Sequence, residues 1–437
     1  MRAPQSTFAG ILNGEAGKGL LKKGGAMIFW QVVTLGLSFI SSVWIARCLG
    51  PEELGKSGFI LATGNQILLI LSVCPNVYAV RLLKREKNSS FAISLIVTSR
   101  MLFCVVYLLV ISILLLLGAF PDSWRHLVFL GMAVPVILAF QPVWLLQSQE
   151  NQAAQYKSSA MIALGSALYA IAFIRPHDVA SEDLIAKIIG LLLGLFLAWR
   201  LTGKGNPVRY FKLSRIGSSF SEVWKSKALF ITQIVIYIYV GLEVPLLGYL
   251  ATVEDLGMYR TATQLAMAVN SIVAIVPIIL YPRFIEWHNE SPTLLWKNQK
   301  RICWVALWFV IPGCVVSLFL GPWIFESIFG SAFQNAGFPF ALLVCSKLVV
   351  LLGGIFAWGL WAQSKDIGML ILYLVVALTS LALNLALIPR FGMNAAAGTN
   401  LFSQVFIFAL AFWFAWKKSG DENRIDGLKE SESSDQA

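Results

Sequence analysis

The sequence predicts an all-α polytopic membrane protein of about twelve transmembrane helices, in two pseudo-symmetric six-helix bundles set as a parallel repeat around a central cleft. Three observations carry this. The 437 residues are 57% hydrophobic and only 13% charged, with a mean hydropathy of +0.73, whereas a soluble globular chain carries roughly 25% charged residues. Long apolar runs recur from end to end, which is the mark of spanning helices and not of the short alternating strands of a barrel. Finally, Glu52-Glu53-Leu54-Gly55 and Glu254-Asp255-Leu256-Gly257 write one pattern twice, each time directly after an apolar run, as an internal duplication does.

In chain order the expected spans are 26–47, 57–80, 91–118, 126–147, 158–174 and 184–201, then 227–251, 258–282, 302–324, 335–361, 367–389 and 393–416. The fifth and sixth are short; Arg175-Pro176 closes one and Lys187 sits inside the other. Residues 202–226 are basic and rich in Gly and Ser, and read as a linker. The chain thus divides into an N-terminal six-helix lobe (1–201), the linker (202–226), a C-terminal six-helix lobe (227–418) and a polar tail (419–437) expected to be disordered. The two acidic copies follow the first and seventh spans. An even number of helices separates them, so both halves point the same way across the membrane.

Charge sets the orientation. With the N-terminus inside, 25 of the 34 basic residues fall on inner segments and only Arg47, Lys56, Arg125, Arg175 and Arg390 on outer loops. Basic residues are retained on the cytoplasmic side, so both termini are expected there. The net charge of +11 has this topological cause, and no nucleic-acid partner is expected. The six cysteines form no CxxC pair, and His126, His177 and His288 lie far apart, so neither a disulfide framework nor a metal centre is indicated. The first apolar run is too long for a signal-peptide core and lacks a small-residue cleavage site, so no cleavable leader is expected.

Several short motifs resemble one family. Ile45-Ala46-Arg47-Cys48-Leu49-Gly50-Pro51, followed by Glu52-Glu53-Leu54-Gly55, resembles the end of the first helix in bacterial polysaccharide flippases of the O-antigen and capsule type. These belong to the multidrug/oligosaccharidyl-lipid/polysaccharide exporter superfamily. Glu243-Val244-Pro245-Leu246-Leu247-Gly248 is similar to that family's acid-x-x-x-Leu-Gly segment in helix seven, and Gly257-Met258-Tyr259-Arg260-Thr261-Ala262 to its Gly-x-Tyr-x-x-Ala start of helix eight. The resemblance implies a protein that moves an undecaprenyl-pyrophosphate-linked oligosaccharide repeat unit from the cytoplasmic to the periplasmic leaflet. A separate polysaccharide polymerase and a chain-length regulator would then act as partners. The helix-seven acid, often Asp in the family, is Glu243 here with Pro245 following.

Flipping needs no nucleophile, no acid–base pair and no cofactor, and no catalytic residue is expected. It needs cations to neutralise a pyrophosphate at membrane depth, and charges inside spans are functional candidates by default. Lys347 and Arg100 are the candidate cleft cations, and Glu243 is the candidate ion-coupling acid, with a structural Lys347–Glu243 pair as the plainer alternative. Arg47 and Arg260, with Glu52, Glu53, Glu254 and Asp255, are the candidate outer gate; interfacial anchoring is the alternative for the two arginines. Asn400 is one of ten polar residues in or beside the spans suited to a sugar path or to helix–helix bonds, and Trp144, Trp358 and Trp361 are candidates for sugar stacking. Two competing readings are a drug or cation exporter, which calls for more intramembrane acids than bases, and a polymerase, which calls for a large outer loop.

Overall fold

The computed structural model describes residues 15–71, 76–86, 89–149, 151–225, 235, 241–273, 275–363 and 366–434. Among these residues every regular element is helical. They are α1 (Glu15–Leu71), α2 (Asn76–Arg85), α3 (Ser89–Leu116), α4 (Arg125–Ala139), α5 (Val143–Ser148), α6 (Gln152–Phe173) and α7 (Ala180–Leu201). There follow α8 (Ile216–Lys225), α9 (Glu243–Leu250), α10 (Val253–Val273), α11 (Ile275–Glu290), α12 (Pro292–Phe329), α13 (Gly337–Ala362) and α14 (Asp366–Ser434). Seven of the described helical segments are long and apolar enough to cross a membrane: Gly25–Ile67, Ser89–Leu116, Asp122–Ser148, Ala180–Leu201, Pro292–Phe329, Ser331–Ala362 and Gly368–Lys417. The chain is a polytopic helical membrane protein.

Two of these seven each hold two expected spans, separated by a break in the helix. Gly50 (φ 75°, ψ 173°) breaks α1, and Gly392 (φ 52°, ψ −133°) breaks α14. Positive φ is open to Gly at no steric penalty, and Pro51 directly after Gly50 supplies the preset φ of a first helical position. The two expected spans on either side of each glycine are therefore two helices that meet at a non-helical residue with no loop between them. Much of the expected seventh span, 227–234 and 236–240, lies outside the described residues. Through the polar tail α14 continues to Ser434, in a stretch without proline.

The chain groups into two compact units, one of residues 1–49 and 63–233, the other of 50–62 and 234–437. In the first, α6 and α7 pack closely. Gly165 meets Gly190, and Gly194 meets Ile162 and Ser158, whose Oγ donates to the Gly194 carbonyl at 2.8 Å. Small residues let the backbones approach this far. Lys187, the cation inside the expected sixth span, pairs with buried Asp183 one turn earlier. Residues 202–225, the described part of the expected linker, pack against α2 and α3. Tyr210 accepts a bond from Ser94 Oγ (2.6 Å), Lys212 donates its N–H to Thr98 Oγ1 (3.3 Å), and amphipathic α8 is clamped through Glu222 to Tyr78 (2.7 Å) and Arg85 (2.9 Å).

The core of the second unit lies among α11, α12, α13 and α14. Phe284, Leu295, Phe356 and Leu372 are buried there, with Trp296, Phe356 and Phe412 in mutual ring contact. Gln299, buried on α12, donates to the Ile355 carbonyl at 2.7 Å, and the absence of a side chain at Gly359 makes room for its amide.

Candidate functional site

The duplicated pattern is not a pair of loops. Glu52 and Glu53 stand in the first turn after the Gly50 bend, and Glu254 and Asp255 in the first turn of α10. Acids there offset the positive end of the helix dipole, and Thr252 Oγ1 caps α10 by accepting the Asp255 N–H at 3.1 Å. Residues 50–62 and α10 belong to the same unit, and within it the two copies press backbone against backbone. A Cβ on Gly55 would overlap the Val253 carbonyl, and one on Gly257 would overlap the Pro51 carbonyl and crowd the Gly55 nitrogen. Each copy therefore needs its glycine so that the other can approach.

Side chains stitch this contact. Arg260 crosses Gly58 and donates to the Leu54 carbonyl (3.0 Å) and Ser57 Oγ (2.6 Å). Phe59 lies against Gly248 and meets Tyr249 edge-on with ring centroids 4.9 Å apart. Lys56 binds Glu52 (2.9 Å) and Glu53 (2.5 Å) within its own arm. Asp255 sits at the second bend, its carboxylate where a Cβ of Gly392 would fall. Arg47 and Glu254 are exposed, and Arg47 belongs to the first unit.

Deeper in the second unit is a buried polar network. Glu243 opens α9, where Pro245 is harmless because a first-turn N–H has no intrahelical partner. Its carboxylate accepts from the Tyr259 hydroxyl (2.5 Å) and from Asn400 Nδ2 (2.8 and 3.0 Å). The carbonyl oxygen of Asn400 accepts from Ser346 Oγ (2.5 Å) and from the Lys347 ammonium (3.3 Å). Glu243 is 5% and Lys347 9% exposed. Lys347 and Glu243 are thus brought into one cluster, with Asn400 between them. Tyr259 and Ser346 complete it; Tyr259 stood in the quoted Gly-x-Tyr motif without a role, and nothing in the sequence marked Ser346.

Arg100 lies in the first unit and serves a helix break. Its guanidinium donates to the Ala139 carbonyl (2.6 Å), the Gln141 carbonyl (3.5 Å) and Asn76 Oδ1 (2.8 Å), and stands 5.5 Å from the centre of the Trp144 ring. The carbonyls ending α4 have lost their helical partners, and Arg100 supplies them. Trp144 is 1% exposed, too deeply buried to stack on a sugar in this structure.

The sequence profile of the family described as polysaccharide biosynthesis protein matches residues 20–288. This chain belongs to that family. It is 23% identical over 283 residues to an Escherichia coli K12 protein named "Putative O-antigen transporter"; the match covers 61% of this chain and 63% of that relative's length. The fold is similar to that of the lipid II flippase MurJ in an inward closed conformation, with a TM-score of 0.72 and 12% identity over 90% of this chain and 87% of that one. It is also similar to an inward-facing multidrug resistance MATE family transporter of the MOP superfamily (TM-score 0.67, 12% identity, 90% and 99% coverage). At such identities the two structures speak for the fold alone.

Proposed function

We propose that the chain is a flippase that carries an undecaprenyl-pyrophosphate-linked oligosaccharide repeat unit from the cytoplasmic to the periplasmic leaflet for surface polysaccharide synthesis. The observation that carries this reading is membership of a polysaccharide biosynthesis family on a fold similar to lipid and drug transporters. The distribution of basic residues supports an inner-membrane protein with both termini in the cytoplasm.

In this reading the paired glycine turns, with Arg260, Glu52, Glu53, Glu254 and Asp255, form the outer closure. Lys347 is the cation assigned to the cargo pyrophosphate, which it meets only once its bond to Asn400 is broken; Arg100 is employed at the α4 break. Glu243 is the coupling acid: protonation or a bound cation weakens its hold on Asn400 and so frees Lys347. Glu243→Gln is expected to remove the dependence of transport on an ion gradient, and transport that keeps its full gradient dependence in a folded Glu243→Gln protein would refute that role.

The function is tested by deleting the chain while keeping the glycosyltransferases. Single lipid-linked repeat units are expected to accumulate on the cytoplasmic face. Accumulation on the periplasmic face would overturn the reading in favour of a step after flipping, and no accumulation would point to another cargo.

A further inference from the structure

A second site lies wholly within the first unit. A cavity of about 670 Å³ opens between α3, α4, α7 and the turn at 205–211, a size within the range of small-molecule pockets. Its walls are apolar and aromatic: Val97 and Met101 from α3, Ile137 and Phe140 at the end of α4, Phe196 and Trp199 from α7. Trp199 is fixed by its indole bond to the Phe140 carbonyl (2.9 Å) and by stacking on Tyr210, so this wall is rigid. Phe196 (64%) and Val208 (65%) leave much of their surface uncovered.

Two cations border the same cavity, Arg200 and Arg209, both exposed. The Arg200 guanidinium lies 5.3 Å from the centre of the Phe196 ring, so its charge sits directly over the apolar wall. No acid lines the cavity, and among the described residues neither arginine forms an ion pair. The cations Arg85 and Lys225 differ, since each pairs with Glu222. An apolar slot with two unneutralised guanidinium groups at its border matches an amphiphile with one apolar chain and one anionic head. Arginine suits a phosphate because its fork binds two oxygens at once. Basic pockets between membrane helices take up anionic lipid head groups in this way.

We propose that this groove holds an anionic phospholipid of the surrounding bilayer, its phosphate at Arg200 and Arg209 and an acyl chain along Phe140, Phe196 and Trp199. The lining chemistry favours a phospholipid over a sugar-bearing lipid. Apart from the arginines and the Trp199 indole, Asn206 is the polar side chain of the lining, and its oxygen already accepts the Val208 N–H at 3.0 Å. An oligosaccharide would find no set of hydrogen-bonding partners there. The proposal is independent of the transport reading.

The test is native mass spectrometry of the full chain released from detergent with phosphatidylglycerol, phosphatidylcholine or undecaprenyl phosphate at equal concentration. The wild type is expected to retain one phosphatidylglycerol in preference to phosphatidylcholine. The Arg200→Gln/Arg209→Gln protein should lose that preference by roughly ten-fold, the loss of about one charge-assisted bond. Val208→Glu, an exposed change that sets an acid at the border, should have the same effect without touching either arginine. Unfolding temperatures measured without added lipid should be the same in all three proteins, since the altered side chains are exposed. Equal retention of phosphatidylglycerol and phosphatidylcholine by the wild type would overturn the proposal, as would a preference that survives in both variants. Stronger retention of undecaprenyl phosphate than of phosphatidylglycerol would overturn it too, by giving the groove to the carrier lipid.

Discussion

Asn400 is held in one orientation by its neighbours. Its amide NH2 faces the Glu243 carboxylate and its oxygen faces Ser346 and the Lys347 ammonium; turned over, it would set donors against donors and an acceptor against a carboxylate. A buried charge left without its partner typically destabilises by about 3–5 kcal/mol, whereas replacing both members by apolar groups is often neutral. Glu243→Leu and Lys347→Met should therefore each lower the thermal unfolding temperature in detergent, and the double substitution should lower it less than the sum. Strict additivity would show that the two charges do not act on one another. The sequence made Glu243 and Lys347 legible because charge is rare inside spans, but Asn400 was one of ten polar candidates and Ser346 none, since only the packing of α9, α13 and α14 selects them. At Glu222, burial raises the carboxyl pKa, but hydrogen bonds from Lys225, Tyr78 and Arg85 outweigh it and hold the group below the usual carboxylate value. The folded state then binds fewer protons than the unfolded one, so this clamp stabilises at neutral pH and is lost as pH falls through the folded pKa. Amide exchange of α8 should accelerate on acidification, and Glu222→Gln should flatten that dependence.

The bent arms of α1 and α14 carry the consequences for helices. Gly50-Pro51 was readable as a stop and a start, but the glycines at 55 and 257 gave no sign of their purpose until the two copies were seen face to face. Helix propensity favours Ala over Gly by about 1 kcal/mol, while overpacking a tight contact opposes it by about 1–3 kcal/mol. At Gly257 the obstacle is backbone, the Pro51 carbonyl, and cannot swing away, so the second effect should win. Gly257→Ala is expected to lower the unfolding temperature and impair transport. Gly36→Ala, where nothing lies within 4 Å of a new Cβ, should leave it unchanged or raise it. A neutral Gly257→Ala would mean that the two turns need not approach. The expected linker packs more closely than its Gly and Ser content suggests, since Ser94 and Thr98 on α3 bond to residues 210 and 212 at points that no local pattern reveals.

For the molecule as a whole, hydropathy made the class plain and charge asymmetry gave an orientation, because both follow from the bilayer and not from tertiary contacts. The seven long apolar helical segments among the described residues do not map one to one onto twelve expected spans: the runs through Gly50 and Gly392 each hold two of them, and most of the seventh span lies outside the described residues. The cargo is written in none of these features, and the account stands on whether the chain moves a lipid-linked sugar. The direct measurement uses the purified chain in vesicles loaded with undecaprenyl-pyrophosphate-linked oligosaccharide and an impermeant glycosidase outside. The account predicts that vesicles with the protein expose their inner-leaflet pool to the enzyme over time, while empty vesicles surrender only the outer-leaflet pool. Identical cleavage with and without the protein, in vesicles where its folding has been verified, would contradict it.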